Sequence, residues 1–177
     1  MNHKSETRNQ VGGIENATRV PCTGLERAEM LDATRWANDF EWRQVKRLAT
    51  FMRAYEADKG AAILNEGDRS SFMCLIVSGS VDILKEDSEE GTKHLAVLGP
   101  GNTFGEMELL DAGPRSASVV PAEKTLLLVF TKQDLDALAE DAPLLALKLV
   151  EKIARMMSQR LRKTTGALSE YLERMAK

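Results

Sequence analysis

Apolar and polar positions change their period twice along the chain. In residues 25–54 apolar side chains recur at helical intervals, which predicts two short helices. In residues 55–131 short apolar runs such as FMCLIV and TLLLVF alternate with turn signals at a spacing of roughly 8 to 12 residues, which is typical of small β folds. Residues 132–177 return to a helical period. The pattern predicts a mainly β fold, a β-roll or jelly-roll barrel with N-terminal helices and a long C-terminal helix.

The same pattern divides the chain into four segments. Residues 1–24 are polar and lack a sustained apolar period, so we expect a flexible N-terminal arm that contributes nothing to the core. Behind it we expect the N-terminal helices over 25–54, the β-roll over 55–131 and the C-terminal helices over 132–177.

The final helix carries two apolar stripes. The long stripe repeats at alternating steps of three and four residues, as a heptad seam does, and consists of Leu147, Val150, Ala154, Met157, Leu161, Thr164, Leu168, Tyr171 and Met175. The short stripe consists of Leu145, Leu149, Ile153 and Met156. Two interpretations stay open: the long stripe forms a homodimer, or both stripes cover the same barrel. Gly166 predicts a break or bend, because Gly costs about 1 kcal/mol inside a helix.

The composition argues against several classes of function. The chain has 27 acidic and 24 basic residues, and its net charge of −3 supplies no general field for a polyanion. Two His and two Cys are too few for a metal cage or a structural zinc site. No paired carboxylates or nucleophile–base set stands out, so we expect no enzyme. Apolar runs are far shorter than a membrane span and no secretory signal is present, so we expect a cytoplasmic protein without a membrane partner.

The stretch FGEMELLDAGPRSASV, residues 104–119, carries the candidate chemistry. Gly105 gives close access to the backbone, and the amides after it open a helical turn whose unpaired N–H groups attract an anion. The guanidinium of Arg115 can hold two phosphate oxygens, with the Ser116 hydroxyl and the Ala117 amide beside it. Glu106, an acceptor only, suits a neighbouring hydroxyl. An acid for a hydroxyl and a base for a phosphate indicate the sugar-phosphate of a nucleotide.

These residues, together with the turns Glu66-Gly67-Asp68, Ser78-Gly79 and LGPG at 98–101, resemble the cyclic nucleotide-binding domain. That domain occurs in catabolite activator proteins, regulatory subunits of cyclic-AMP-dependent protein kinase and cyclic nucleotide-gated channels. The resemblance covers about residues 55–161. It implies that Glu106 binds the ribose 2′-hydroxyl and that Arg115, with Ser116 and local amides, holds the cyclic phosphate.

The resemblance also implies two sets of ligand contacts. The sugar-phosphate contacts are Gly105, Glu106, Met107, Glu108, Arg115, Ser116 and Ala117. The base contacts are Leu64, Ile83, Leu98, Arg160 and Leu161, the last two on a final helix that acts as a lid. We expect cyclic AMP or cyclic GMP as the ligand, with a mild preference for cyclic AMP, and no cofactor.

Glu108 departs from the family pattern, which has a small residue two positions after the ribose-binding Glu. We expect a surface carboxylate that points outward, since an acid in the first turn of a helix is favourable. The alternative is that Glu108 folds inward, pairs with Arg115 and imitates the phosphate.

The sequence therefore predicts a cyclic nucleotide sensor that acts through its C-terminal helix on a homodimer or an unidentified protein partner. The alternative is a scaffold of the same fold that binds no cyclic nucleotide or a different ligand, with Glu108 in the anion site. About sixteen residues follow Leu161, too few for a helix-turn-helix unit, so we expect no direct DNA binding.

Overall fold

The computed structural model describes residues 14, 16–87 and 91–176. The chain divides into two compact units, one up to Leu135 and one from Asp136, and the boundary falls inside a helix. The strands are β1 (Ala17–Arg19), β2 (Arg53–Ala57), β3 (Phe72–Ser78), β4 (Val81–Asp87), β5 (Gly91–Leu98), β6 (Thr103–Phe104), β7 (Ser118–Pro121) and β8 (Thr125–Thr131). The helices are α1 (Gly24–Asp32), a 3₁₀ helix (Arg35–Asp39), α2 (Trp42–Thr50), α3 (Glu106–Asp111), α4 (Lys132–Asp141) and α5 (Pro143–Met175).

The strands form two antiparallel sheets that enclose one core. One sheet has the order β1-β2-β8-β3-β6 and the other the order β5-β4-β7. Phe72 and Leu127 from the first sheet and Val81 and Val119 from the second share a single cluster of buried side chains. These side chains come from the apolar runs of the sequence, because alternate residues of a strand face the same side. The predicted mainly β fold with flanking helices is confirmed.

Part of the predicted N-terminal arm belongs to the first sheet. Strand β1 pairs antiparallel with β2, with Ala17 opposite Ala57. Ile14 and Ala17 pack against the core cluster, so the expectation that this segment adds nothing to the core is wrong for these two residues. A strand of three residues is too short to show a period in the sequence, and its pairing partner lies far along the chain. The rest of the predicted arm, residues 1–13 and 15, lies outside the described residues.

The second unit consists mainly of α5, whose two apolar stripes differ in burial. Leu145, Leu149 and Ile153 of the short stripe are buried. In the long stripe Leu161 and Met175 are 68% and 70% exposed. The choice between a homodimer and a barrel covered by both stripes stays a prediction.

Of the break or bend predicted at Gly166, the break is not observed. Helix α5 is continuous from Pro143 to Met175 and includes Gly166. A Cβ at Gly166 would meet no atom within 4 Å, so nothing packs against this position to open the helix there. The local cost of one glycine, about 1 kcal/mol, is small beside the hydrogen bonds of the helical turns on either side.

Candidate functional site

Helix α3 begins at a glycine that the packing requires. Gly105 is the N-cap of α3 and has φ 76°, in the left-handed region that favours glycine. A Cβ at this position would lie 2.7 Å from Nη1 of Arg115 and 2.7 Å from the carbonyl oxygen of Phe72. The backbone of Gly105 therefore lies directly against the guanidinium of Arg115.

Arg115 is buried, with 1% of its side chain exposed. Its Nη1 donates to the Gly105 carbonyl (3.1 Å) and to Oε2 of Glu108 (2.9 Å). Its Nε donates to Oγ of Ser70 (3.0 Å), and its Nη2 donates to the Phe72 carbonyl (2.9 Å). The guanidinium also lies over the Phe72 ring, 4.5 Å from its centroid. A buried cation is tolerated only when its donors are satisfied, and this network supplies the acceptors.

Glu108 points inward, and the expectation of an outward surface carboxylate is wrong. Glu108 is 3% exposed, and its Oε2 accepts from Nη1 of Arg115. Its Oε1 accepts from the backbone N–H of Ser116 at 3.2 Å. The Arg115 guanidinium and the Ser116 backbone N–H, which belong to residues predicted to hold a phosphate, thus converge on one carboxylate. The physical reason is that Arg115 is withdrawn from water and needs a counter-charge, which Glu108 can reach from the first turn of α3.

Glu106 is also buried, at 3% exposed. Burial raises the pKa of the Cys74 thiol on β3, and the negative charge of Glu106 adds to this rise while the Arg115 cation opposes it. Glu106 and Arg115, the predicted acid and the predicted base, are thus both buried, and their joint contact with a nucleotide stays a prediction.

The remaining predicted contacts of this stretch lie at its surface. Met107 is 44% exposed, and its sulfur accepts from the hydroxyl of Ser116 at 3.9 Å. Ser116 is exposed and Ala117 is half-buried.

Sequence reasoning missed the contacts that hold the 115–118 segment. The Gly67 amide donates to the Arg115 carbonyl (2.9 Å), and the Arg115 amide donates to the Asp68 carbonyl (2.8 Å). Nζ of Lys85, on β4, donates to the Ser116 carbonyl at 2.9 Å and to Oε1 of Glu66 at 2.5 Å. The turn at 66–68 was visible as a turn signal, but no pattern in the sequence links it to Lys85.

The family model for the cyclic nucleotide-binding domain matches residues 55–142, which include this whole site. Residues 55–142 belong to the cyclic nucleotide-binding domain family. The match confirms the resemblance carried by the FGEMELLDAGPRSASV stretch.

The chain is similar to several known proteins. The cyclic AMP receptor protein of Thermus thermophilus is 40% identical over 101 residues, which are 57% of this chain and 47% of that protein. The crystal structure of a cyclic nucleotide-binding domain from Methylobacillus flagellatus has a TM-score of 0.76 and 27% identity, and covers 84% of this chain and 85% of that one. The catabolite activator protein structure from Thermus thermophilus has a TM-score of 0.67 and 32% identity, and covers 76% of this chain and 61% of that one.

The similarity to the curated relatives covers only part of their length. The chain spans about half the length of the Thermus receptor protein and 37% of a Pycsar effector protein from Xanthomonas perforans that is 30% identical over 116 residues. The matched family model describes a ligand-binding domain rather than a catalytic one. Among the described residues, no helix is both long and apolar enough to cross a bilayer. Within the same residues, no cluster of three His, Cys, Asp or Glu side chains is placed to hold a metal ion.

Three of the five predicted base contacts of the cyclic nucleotide-binding domain lie together. Leu64 belongs to the core cluster, and Ile83 and Leu98 pack against it. Arg160 and Leu161 lie on α5 in the second unit, where Leu161 is exposed. Their predicted part in covering a base stays a prediction.

Proposed function

We propose that the domain binds a cyclic nucleotide and acts as a regulatory module. Glu106 accepts from the ribose 2′-hydroxyl, and Arg115 with the amides of Ser116 and Ala117 holds the cyclic phosphate. The observation that supports this most is the convergence of the Arg115 guanidinium and the Ser116 N–H on one anionic group, the carboxylate of Glu108. Two N–H donors that are held toward one carboxylate inside the fold can also bind another anionic group, such as a phosphate. No catalytic activity is part of this proposal.

In this proposal the ligand displaces Glu108. A carboxylate presents two oxygens to its donors, as does the phosphodiester of a cyclic nucleotide, and each carries one negative charge. Removing Glu108 alone would leave Arg115 buried without a counter-charge, which costs several kcal/mol. When the phosphate takes its place the charge of Arg115 stays compensated. Glu108 therefore lowers the apparent affinity for the ligand, because only the molecules in which Glu108 has left the site can bind.

Cyclic AMP is the first ligand to test. The Thermus relative, 40% identical over its matched residues, bears the name cyclic AMP receptor protein. Cyclic GMP remains the second choice, because the Ser116 hydroxyl suits either nucleotide.

The deciding experiment is a calorimetric titration of the wild type, Glu108→Ala and Glu108→Gln with each nucleotide. We expect saturable binding by the wild type and about ten- to a hundredfold tighter binding by both variants, because a competing charge-assisted contact is lost. Asp111→Ala is the matched control: it removes an exposed carboxylate from the last turn of α3, whose Oδ1 accepts from the Gly113 amide, and should leave the affinity unchanged.

A second candidate function is a scaffold for protein contacts in which Glu108 permanently fills the anion site. The closed pair favours it, since the side chains of Glu108 and Arg115 are only 4% and 1% exposed. The same titration separates the two functions. If neither the wild type nor the two Glu108 variants bind cyclic AMP or cyclic GMP at millimolar concentration, the scaffold is correct and the sensor is wrong.

The proposed output is a homodimer formed through the long stripe of α5. Leu161, Leu168, Tyr171 and Met175 of this stripe are between 55% and 70% exposed in the single chain. Such a run of apolar side chains at heptad spacing is buried when a second helix packs along it. Ligand changes this assembly, or contacts with an unidentified protein partner, only through a difference in affinity between two helix arrangements.

A further inference from the structure

Two peptide groups carry the N–H groups that the proposed function assigns to the phosphate, and each has a donor on its carbonyl oxygen. The peptide between Arg115 and Ser116 provides the Ser116 N–H, and its carbonyl accepts from the Gly67 amide at 2.9 Å. The peptide between Ser116 and Ala117 provides the Ala117 N–H, and its carbonyl accepts from Nζ of Lys85 at 2.9 Å. A hydrogen bond to the carbonyl of a peptide polarises the whole unit, so its N–H becomes a stronger donor. The Lys85 contact is the stronger of the two because its donor is charged.

Lys85 is held in place by a carboxylate that is itself fixed. Oε1 of Glu66 accepts from Nζ of Lys85, and Oε2 accepts from the Glu86 amide at 3.0 Å. The Glu66 amide in turn donates to the hydroxyl of Ser118 at 2.9 Å. The Lys85 contact lowers the pKa of Glu66, with the Glu86 amide second, so Glu66 stays ionised at neutral pH. The result is a closed chain of contacts from β4 through the 66–68 turn to both sides of Ser116.

We propose that Lys85 is a positioning residue of the anion site, whose ammonium group strengthens the Ala117 amide as a donor to the ligand phosphate. The inference rests on the proposed cyclic nucleotide site and adds a second cation to it. Arg115 touches the phosphate directly, whereas Lys85 acts through the 116–117 peptide. Its contribution is to one phosphoryl oxygen, the one that the Ala117 amide reaches.

The test compares Lys85→Met, Lys85→Arg and Lys93→Met with the wild type in calorimetric titrations with cyclic AMP. Lys93 is the matched control, because it forms an ion pair with Asp87 on the same hairpin and is about as exposed as Lys85, 48% against 45%. We expect Lys85→Met to weaken binding about three- to tenfold, since the contact is charge-assisted but partly exposed to water. Lys85→Arg should recover most of the loss, and Lys93→Met should bind like the wild type.

A purely structural role is tested with the two phosphorothioate diastereomers of cyclic AMP, each of which replaces one phosphoryl oxygen by sulfur. If Lys85 acts on one oxygen, Lys85→Met should weaken binding of one diastereomer several-fold more than of the other. Equal losses for cyclic AMP and both diastereomers would overturn the proposal, as would a Lys93→Met variant that matches Lys85→Met.

A measurement without ligand keeps the test independent of the proposed function. In a ¹H–¹⁵N spectrum of the ligand-free protein, the Ala117 amide proton should move to lower frequency in Lys85→Met and stay in place in Lys93→Met. If the wild type binds no cyclic nucleotide, the proposed function fails and this shift alone decides the role of Lys85. An Ala117 amide signal that is the same in Lys85→Met and the wild type rejects the role in either case.

Discussion

The anion site buries charged side chains, whereas the second half of α5 exposes apolar ones. At the anion site two charged residues, Glu108 and Arg115, lie inside the fold and satisfy each other. On α5 large apolar residues lie in water, and Leu161 and Met175 are about two-thirds exposed. Burial of charge without a partner and exposure of apolar stripes are both unfavourable. The first region is completed within the chain, whereas the second presents apolar side chains to water.

The largest expected effect on stability comes from breaking the Glu108–Arg115 pair of the anion site. Arg115→Ala removes the cation and leaves Glu108 buried without its ion-pair partner, so we expect the free energy of unfolding to fall by about 3–5 kcal/mol in urea denaturation. Arg69→Ala is the control, because Arg69 is exposed and lies in the same loop as Ser70. The Arg115→Ala/Glu108→Ala double variant should be more stable than the sum of the two single losses predicts, since the pair is coupled. Strict additivity would contradict the pair as described.

The next effect tests whether the backbone at Gly105 supports that pair. Gly105→Ala places a Cβ 2.7 Å from Nη1 of Arg115 and also imposes a left-handed φ on alanine. Gly67→Ala imposes the same kind of φ, 84°, but meets no atom within 4 Å. We expect Gly67→Ala to cost about 1 kcal/mol and Gly105→Ala about 2–3 kcal/mol, because only the second adds a clash. Thermal unfolding of both variants gives the difference, and equal losses would mean that Arg115 moves away at no cost.

The exposed region is tested by placing a charge on the stripe. Leu161→Glu should weaken self-association at least tenfold in sedimentation equilibrium, because two carboxylates would face each other across a helix pair. Gln159→Glu adds the same charge two residues away, on the opposite side of α5, and should leave association unchanged. A Leu161→Glu variant that associates as strongly as the wild type would remove the dimer from the proposal.

The contrast between the two regions also explains which features the sequence could predict. The stripes of α5 are local, since residues three and four apart share a helix face, and their periodicity is readable without knowledge of the fold. The FGEMELLDAGPRSASV stretch is local too, and together with three turns it identified the domain. The predictions that failed in these two regions were the outward direction of Glu108 and a break at Gly166. Each depends on what surrounds the residue rather than on its neighbours in sequence.

Long-range contacts account for the parts of the site that sequence reasoning missed. Ser70 and Phe72 accept from Arg115 across more than 40 positions, and Lys85 reaches Ser116 across 31. Phe72 contributes a carbonyl oxygen, which any residue type supplies. No pattern of residue types records such a contact. The sequence therefore predicts the donors to the anion but not the groups that hold these donors in place.

The smallest expected effect concerns Cys74, the buried thiol on which both Glu106 and Arg115 act. Burial raises its pKa above the ordinary value of 9.0, with Glu106 adding to the rise and Arg115 opposing it. In the unfolded chain the thiol ionises near its ordinary pKa, whereas in the folded chain it stays neutral. Its contribution to stability is therefore present below about pH 9 and is lost as the pH rises from there toward the folded pKa. Between pH 8 and pH 10 the wild type should lose about 1–2 kcal/mol more unfolding free energy than Cys74→Ala.

The comparison with Cys74→Ala removes the contributions of tyrosines and lysines, which titrate in the same range in both proteins. The cavity left by the substitution lowers stability at every pH and cancels when the change with pH is compared. If Cys74→Ala and the wild type lose the same amount between pH 8 and pH 10, Cys74 ionises in the folded protein. The site around Glu106 and Arg115 would then be open to water, and the contrast with α5 would disappear.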